Sequence, residues 1–534
     1  MNRRSFLKHT ASSLMASSLA IKSLYGTSHS KKRKPNILFL LADDMGYSDA
    51  GCYGGDIATP NLNHLADNGI RFTQFYNTGR CWPSRASLLT GYFAQQVRRD
   101  NLPGKKGHGK RQKWATLLPE RLKPLNYRSY HSGKWHIDGT PLEGGFDLSY
   151  CLNDHDRYFS PQKHLLNDEK LPPVATESDY YATTAIADHA IKCLKDHSQK
   201  HQDQPFFSYV AFTSPHFPLH ALQKDIDRYR KNYLQGWDSN RKHRFERLKK
   251  LGIVECQLSM RDAKTIPSWN LPEETLEQKI GKCEVGYAVA WNSLTDEEKE
   301  FQATKMAIHA AMIDRMDQEI GRIMEQIQKM RVLDNTVIMF ASDNGASAEQ
   351  IVRGDNHDRS APLGSAHSYL CLGPGWSTAA NTPFRLHKSW VHEGGIATPF
   401  IVSWPKGINA HGQLRHDPTH LIDVAPTIME LAGGKWPEDY VGKPMPDSPG
   451  ISLVPAFEQD GAIKHDYLFW LHNNNRAIRV GKWKLVAQKN KTWELFDLNS
   501  DRSETKNLAN EYPDKVKELT NLWDRCVEEY KTLW

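Results

Sequence analysis

The chain is poor in cysteine, with eight in 534 residues and none spaced as a C-x-x-C pair. That density excludes a disulfide framework and a zinc knuckle, although single bridges stay open in an oxidising compartment. Long apolar runs are missing too. Beyond residue 30, nothing approaches the roughly eighteen consecutive apolar positions that a membrane span needs. No internal repeat is visible. Strong charge of one sign is absent as well. The formal net charge is +7, and residues 1–30 carry Arg3, Arg4, Lys8 and Lys22 with no acid, so taking those four off leaves +3. A weakly basic chain suits an anionic substrate without singling one out, and no nucleic-acid partner is expected. The run Lys31, Lys32, Arg33 and Lys34 reads as a solvated linker.

What is present fits a soluble globular enzyme, at 39% hydrophobic and 25% charged residues with 15 tryptophans. The length allows one large domain and a smaller one. Residues 1–30 stand apart. A basic start followed by a small-residue apolar run over 11–21 is an export signal. Arg3 and Arg4 before Phe6, Leu7 and Lys8 resemble the twin-arginine type, the alternative being an ordinary secretory signal. The mature chain is then expected to be periplasmic or extracellular, with no membrane attachment.

Strand-length apolar runs punctuate the next four hundred residues or so. Residues 36–42 form the first, ending in Asp43, Asp44, Met45 and Gly46. Residues 336–341 form another, ending in Ser342, Asp343, Asn344 and Gly345. Continuous apolar runs of this length suit parallel strands buried on both faces. Ligands of open α/β sheets bind at the carboxyl ends of such strands, so the two oxygen-rich ends are expected to converge. Further strands are expected at 206–212, before Ser214-Pro215-His216, at 128–131, before Gly133-Lys134-Trp135-His136, and at 400–404. Helices are expected over 180–197 and 303–330. The Met306, Ala310, Ile313, Met316, Ile320 and Ile323 stripe of the latter, with His309 on its flank, reads as core.

The alternation implies a doubly wound, mostly parallel α/β sheet flanked by helices over 35–432. A small C-terminal α+β subdomain, 433–534, follows with short antiparallel strands and a closing helix. The charge-rich segment 224–300 is expected to form surface helices around the site, and 356–381 to be a long loop.

The stretch Cys81-Trp82-Pro83-Ser84-Arg85-Ala86-Ser87-Leu88-Leu89-Thr90-Gly91 is the most informative in the chain. Pro83 suits the first position of a helix that Gly91 ends, which puts Cys81 where unpaired N–H groups favour an anion. Arg85 lies one turn on. A lone cysteine is most simply structural, but Asp43, Asp44, Asp343 and Asn344 supply hard oxygens, which select calcium or magnesium over softer metals. The motif C-x-P-S-R-x-x-L-x-T-G resembles the signature of the sulfatase family. The G-K-W-H of Lys134 and His136, the S-P-H of His216, and Lys388 ahead of Glu393-Gly394-Gly395 also match that family, in order, over nearly the whole mature chain.

The resemblance implies an alkaline-phosphatase-like fold and a sulfuric ester hydrolase acting on a sulfated carbohydrate or aryl sulfate. It implies that Cys81 is oxidised by a formylglycine-generating enzyme to the nucleophile. One divalent cation, calcium by preference, would be held by Asp43, Asp44, Asp343, Asn344 and residue 81. Asp343 would assist proton loss from the nucleophile, while Lys134 and Lys388 neutralise sulfate oxygens. His216, assisted by Lys388, would be the general acid, His136 the base that releases sulfate, and Arg85 a holder of the aldehyde. Two alternatives stay open: a phosphomonoester or phosphonate-ester hydrolase on the same scaffold, and an exported carbohydrate-binding protein without catalysis. Trp82, Trp114, Trp376, His367 and His392 are candidates for the pocket rim.

Overall fold

In the computed structural model, which describes residues 33–154, 156–353 and 357–534, the first apolar run is strand β1, Asn36–Ala42, buried at every position. Leu38, Leu40 and Ala42 enter one hydrophobic core, and Ile37, Phe39 and Leu41 enter another. A strand with no polar face needs cover on both sides, which two layers of helices supply.

The elements that build the site follow in chain order: β2 (Ile70–Tyr76), α1 (Cys81–Thr90), β3 (Arg128–Gly133), β4 (Leu148–Leu152), α2 (Ala182–Lys200) and β5 (Phe206–Ala211). Then come α3 (Asp296–Lys329), β6 (Thr336–Ser342), α4 (Gly373–Ala380) and β7 (Ala397–Ser403). The central sheet has eleven strands among the described residues. Its middle runs β6–β1–β5–β3–β4, every pair parallel. β7 runs antiparallel to both β6 and β2, and short antiparallel strands at 164–166 and 169–170 close the far edge. The sheet is therefore mostly parallel, as its apolar runs suggest.

Helix α3 begins at Asp296, ahead of the apolar stripe. Thr295 caps it, with Thr295 Oγ1 accepting from Glu298 N at 3.2 Å and Glu298 Oε2 accepting from Thr295 N at 2.7 Å. This capping box lets a polar first turn stand before the buried part. Met306, Ile313, Met316, Ile320 and Ile323 are fully buried, and His309 sits in the core against Asp49 Oδ2 at 3.1 Å. The expected loop over 356–381 needs correction, because residues 373–380 form α4 and are all buried. Gly373-Pro374-Gly375 has turn chemistry, but a proline in the first helical turn is tolerated, and tertiary burial decides the matter.

The C-terminal strands β8 (Leu468–His472), β9 (Asn475–Val480), β10 (Trp483–Ala487) and β11 (Glu494–Asp497) form a separate antiparallel sheet. Helix α5 (Pro513–Thr532) covers it through Leu519, Trp523, Val527 and Tyr530, packed with Phe469, Ile478 and Leu485. Residues 35–534 nevertheless form one compact unit. All eight cysteines are free thiols, and no helix among the described residues is long and apolar enough to cross a membrane. The expected export signal, 1–30, lies outside the described residues.

Candidate active site

Strands β1 and β6 pair in register, with Ala42 opposite Ser342, so Asp43-Asp44 and Asp343-Asn344 leave the sheet side by side. Asp343 N donates to Ala42 O at 3.1 Å and Asp43 N to Ser214 O at 3.0 Å, which carries the ladder one step past the strands. Asp44 then turns into the left-handed region at φ 67°, a conformation a short polar side chain tolerates. Asn344 Nδ2 donates to Asp44 Oδ1 at 2.7 Å, tying the two ends together. Gly345 cannot be replaced without movement, because a Cβ there would lie 2.0 Å from Gly394 O.

Cys81 is the first residue of α1, with Arg80 extended before it at φ −150° and ψ 151°. The helix thus starts two residues before the expected Pro83, which sits inside the first turn, where its missing N–H costs nothing. The thiol is buried. Ligand atoms of Asp43, Cys81 and Asp343 lie within 4.8 Å of one another, and so do those of Asp43, Asp44 and His216. Two buried oxygens in this cluster, Asp43 Oδ1 and Asn344 Oδ1, have no hydrogen-bond partner. Unpartnered buried acceptors are costly, and a hard cation is the partner that carboxylate and amide oxygens best take. The residues fit calcium or magnesium.

Three cations balance the acids. Lys134 Nζ meets Asp43 Oδ2 at 2.5 Å, and Lys388 Nζ meets Asp44 Oδ1 at 2.6 Å and Glu349 Oε2 at 3.4 Å. Arg85 aims its fork at Asp343 Oδ2, with Nε at 2.9 Å and Nη2 at 2.7 Å, and donates from Nη1 to Lys134 O at 2.8 Å. It therefore clamps Asp343 to the segment after β3. Burial and the Asp43 charge push Asp343 up to about 7, against Arg85 and Lys134. Burial would raise Asp43 as well, but Lys134, Arg85 and Lys388 together hold it below its ordinary value. Burial also raises the Cys81 thiol, opposed by the same two lysines. Glu349 works against burial: Lys388 and then Arg80 hold it at about 2.

His216 Nε2 stands 3.8 Å from Asp44 Oδ2, while Nδ1 lies 2.5 Å from Phe217 O. A carbonyl only accepts, so Nδ1 carries a proton and Nε2 faces the acids. Strand β3 ends at Gly133, and His136 then turns left-handed at φ 56°. Its ring lies 5.8 Å from that of Trp82, the neighbour of Cys81. Burial, then Lys134 and Arg85, hold its imidazole well below the usual value, and so neutral.

The rim candidates divide. Trp82, partly buried, stacks on His108 at 4.5 Å, and His367 lines a cavity of about 260 Å³ with Asp156, His220 and Tyr369. Trp376 is core, its Nε1 donating to Gln302 O, and His392 is buried against Glu494. Trp114 packs edge-on against Tyr92. Sequence reasoning missed Glu349, which carries no motif, and Arg80, which adjoins one. It also missed what the C-terminal sheet contributes. Asn475 Nδ2 donates to Ser389 O at 2.8 Å beside Lys388, and Lys484 Nζ meets Glu393 Oε1 at 2.9 Å.

Comparison with known proteins shows the family and the fold. The family model described as sulfatase matches residues 35–434, and one described as the N-sulphoglucosamine sulphohydrolase C-terminal region matches 384–531. An uncharacterised sulfatase of Schizosaccharomyces pombe is 32% identical over 92% of this chain and 93% of its own. An arylsulfatase of Klebsiella aerogenes is 31% identical over 82% of this chain and 95% of its own. A crystal structure in complex with its substrate D-glucosamine-2-N,6-O-disulfate shares the fold, with a TM-score of 0.62 at 24% identity over 94% of this chain and 99% of that one. The chain belongs to the sulfatase family and is a sulfuric ester hydrolase.

Proposed function

We propose that this sulfatase removes sulfate from a sulfated carbohydrate, with residue 81 as formylglycine and a single calcium ion beside it. The observation that carries the proposal is the convergence of Cys81, Asp43 and Asp343 within 4.8 Å, with Lys134 and Lys388 on the acids. The relative whose structure holds D-glucosamine-2-N,6-O-disulfate supports the carbohydrate reading. Residues 1–30 act as an export signal, and a formylglycine-generating enzyme is the maturation partner.

When present, formylglycine, hydrated to its geminal diol, would supply a hydroxyl nucleophile whose pKa a bound cation would lower. Asp43, Asp44, Asp343 and Asn344 would hold that cation, and Arg85 keeps Asp343 in place. Lys134 and Lys388 neutralise sulfate oxygens where charge builds in the transition state. His216, as the imidazolium with Nδ1–H held by Phe217 O, donates its Nε2 proton to the departing alcohol oxygen. His136, kept neutral by burial and neighbouring cations, accepts one in the step that releases sulfate. The test compares inorganic sulfate released from 4-methylumbelliferyl sulfate and 6-O-sulfated glucosamine with phosphate released from 4-methylumbelliferyl phosphate. Sulfate release from both sulfate esters should dominate. Faster phosphate release would favour the phosphoester hydrolase instead.

A further inference from the structure

Among the described residues, Trp269 is a large aromatic that remains 39% exposed and yet is held in place beside the site. Its segment is zipped to the chain that leaves Asn344. Asn270 Nδ2 donates to Ala348 O, Gln350 N to Asn270 Oδ1, and Leu271 N to Gln350 O, each at 3.0 Å. The indole itself is fixed at both its polar edge and one face. Trp269 Nε1 donates to Glu349 Oε1 at 2.8 Å, the carboxylate that also pairs with Lys388 and Arg80. The Arg80 guanidinium lies over both indoles, 5.6 Å from the Trp269 ring centroid and 5.3 Å from that of Trp82, the neighbour of Cys81. Through Arg80 and Glu349, Trp269 is tied to the residues around Cys81 and Lys388.

An isolated surface tryptophan needs no explanation. One held by an indole hydrogen bond and a cation–π contact, on a segment whose next two residues are hydrogen-bonded to Ala348 and Gln350, is different, because its ordering is already complete before any ligand arrives. An indole offers a flat apolar face with two rotatable bonds, and the C–H face of a pyranose is the matching flat apolar surface. Arg80 lies over the ring and Glu349 takes the indole N–H, which holds the indole in a fixed orientation.

We propose that Trp269 is the stacking platform for the sugar ring that extends from the sulfate-bearing residue, and so a specificity-determining residue for a sulfated oligosaccharide. This rests on the sulfated-carbohydrate reading above. The test measures kcat and KM of wild type, Trp269→Ala and Trp269→Phe. The probes are 4-methylumbelliferyl sulfate and oligosaccharides of 6-O-sulfated N-acetylglucosamine. The ratio of kcat/KM on the oligosaccharide to that on the aryl sulfate should fall about tenfold in Trp269→Ala, through KM, and Trp269→Phe should recover most of it. A role confined to supporting Glu349 predicts the opposite pattern. Both substrates would then fall together through kcat, and Trp269→Phe, which also lacks the indole N–H, would not recover, so that result overturns the proposal. A wild type that cleaves the aryl sulfate but no sulfated saccharide overturns it while leaving the sulfatase activity intact. A wild type that cleaves neither overturns both readings.

Discussion

At the scale of single residues, the site separates two histidines by what surrounds them. His216 faces Asp44 through Nε2, and His136 is kept neutral by burial and then by Lys134 and Arg85. If His216 protonates the leaving oxygen, His216→Ala should lose roughly 10²- to 10⁴-fold in kcat on a sugar sulfate and much less on an aryl sulfate, whose phenolate leaves unaided. His136→Ala should instead release one equivalent of alcohol and stall, with sulfate retained at position 81, which burst kinetics and intact mass detect. Equal losses on both leaving groups, with no retained sulfate, would reverse these roles. Arg85 makes a third case. Its fork bonds Asp343 twice, and a lysine is a point charge that cannot, so Arg85→Lys should lower kcat and weaken metal retention together. Titration with calcium, followed by metal analysis, checks it.

At the scale of elements, the strands were legible and the supports were not. The apolar runs at 36–42 and 336–341 located β1 and β6 almost to the residue, because a strand buried on both faces has no polar positions to blur its ends. The oxygen-rich strand ends were expected to converge, and the in-register pairing of β1 with β6 brings Asp43 and Asp343 side by side. Helix starts were less readable. Cys81 precedes its proline, and α3 opens with a charged turn, since capping and packing rather than hydrophobic pattern fix those boundaries. Glu393 shows what pattern cannot reveal. Its carboxylate receives Lys484 from β10, Arg502 at 3.1 Å and Tyr76 from β2 at 2.9 Å, so an E-G-G motif becomes the joint between two sheets. Breaking a buried pair of this kind typically costs about 3–5 kcal/mol, so Lys484→Ala should lower the melting temperature sharply. Burial would raise Glu393, but Lys484 and Arg502 hold it below its ordinary value. A depressed carboxylate contributes stability that is complete above the unfolded value near ~4.3 and is lost as pH falls through the folded value. Acid unfolding of Glu393→Gln should accordingly show a weaker pH dependence in that window, read from denaturation midpoints.

At the scale of the whole molecule, five parts of the chain far apart in sequence meet around Cys81. β1 and β6 bring the acids, the loops after β3 and β5 bring Lys134 and the histidines, and the segment before β7 brings Lys388. The C-terminal sheet steadies that last segment through Asn475 and Ser389. Two buried oxygens without partners lie among residues that could hold the proposed cation, so chelation should abolish turnover, and calcium should restore it better than zinc. Retention of full activity in metal-stripped protein would refute that part. The central claim, that residue 81 works as an aldehyde, has its most direct test in mass spectrometry of the Cys81 peptide alongside turnover of 4-methylumbelliferyl sulfate. Protein made with and without a formylglycine-generating enzyme should show activity rising in proportion to the aldehyde fraction, and Cys81→Ala should show none. Undiminished activity in protein carrying only the thiol, or in Cys81→Ala, would contradict the account.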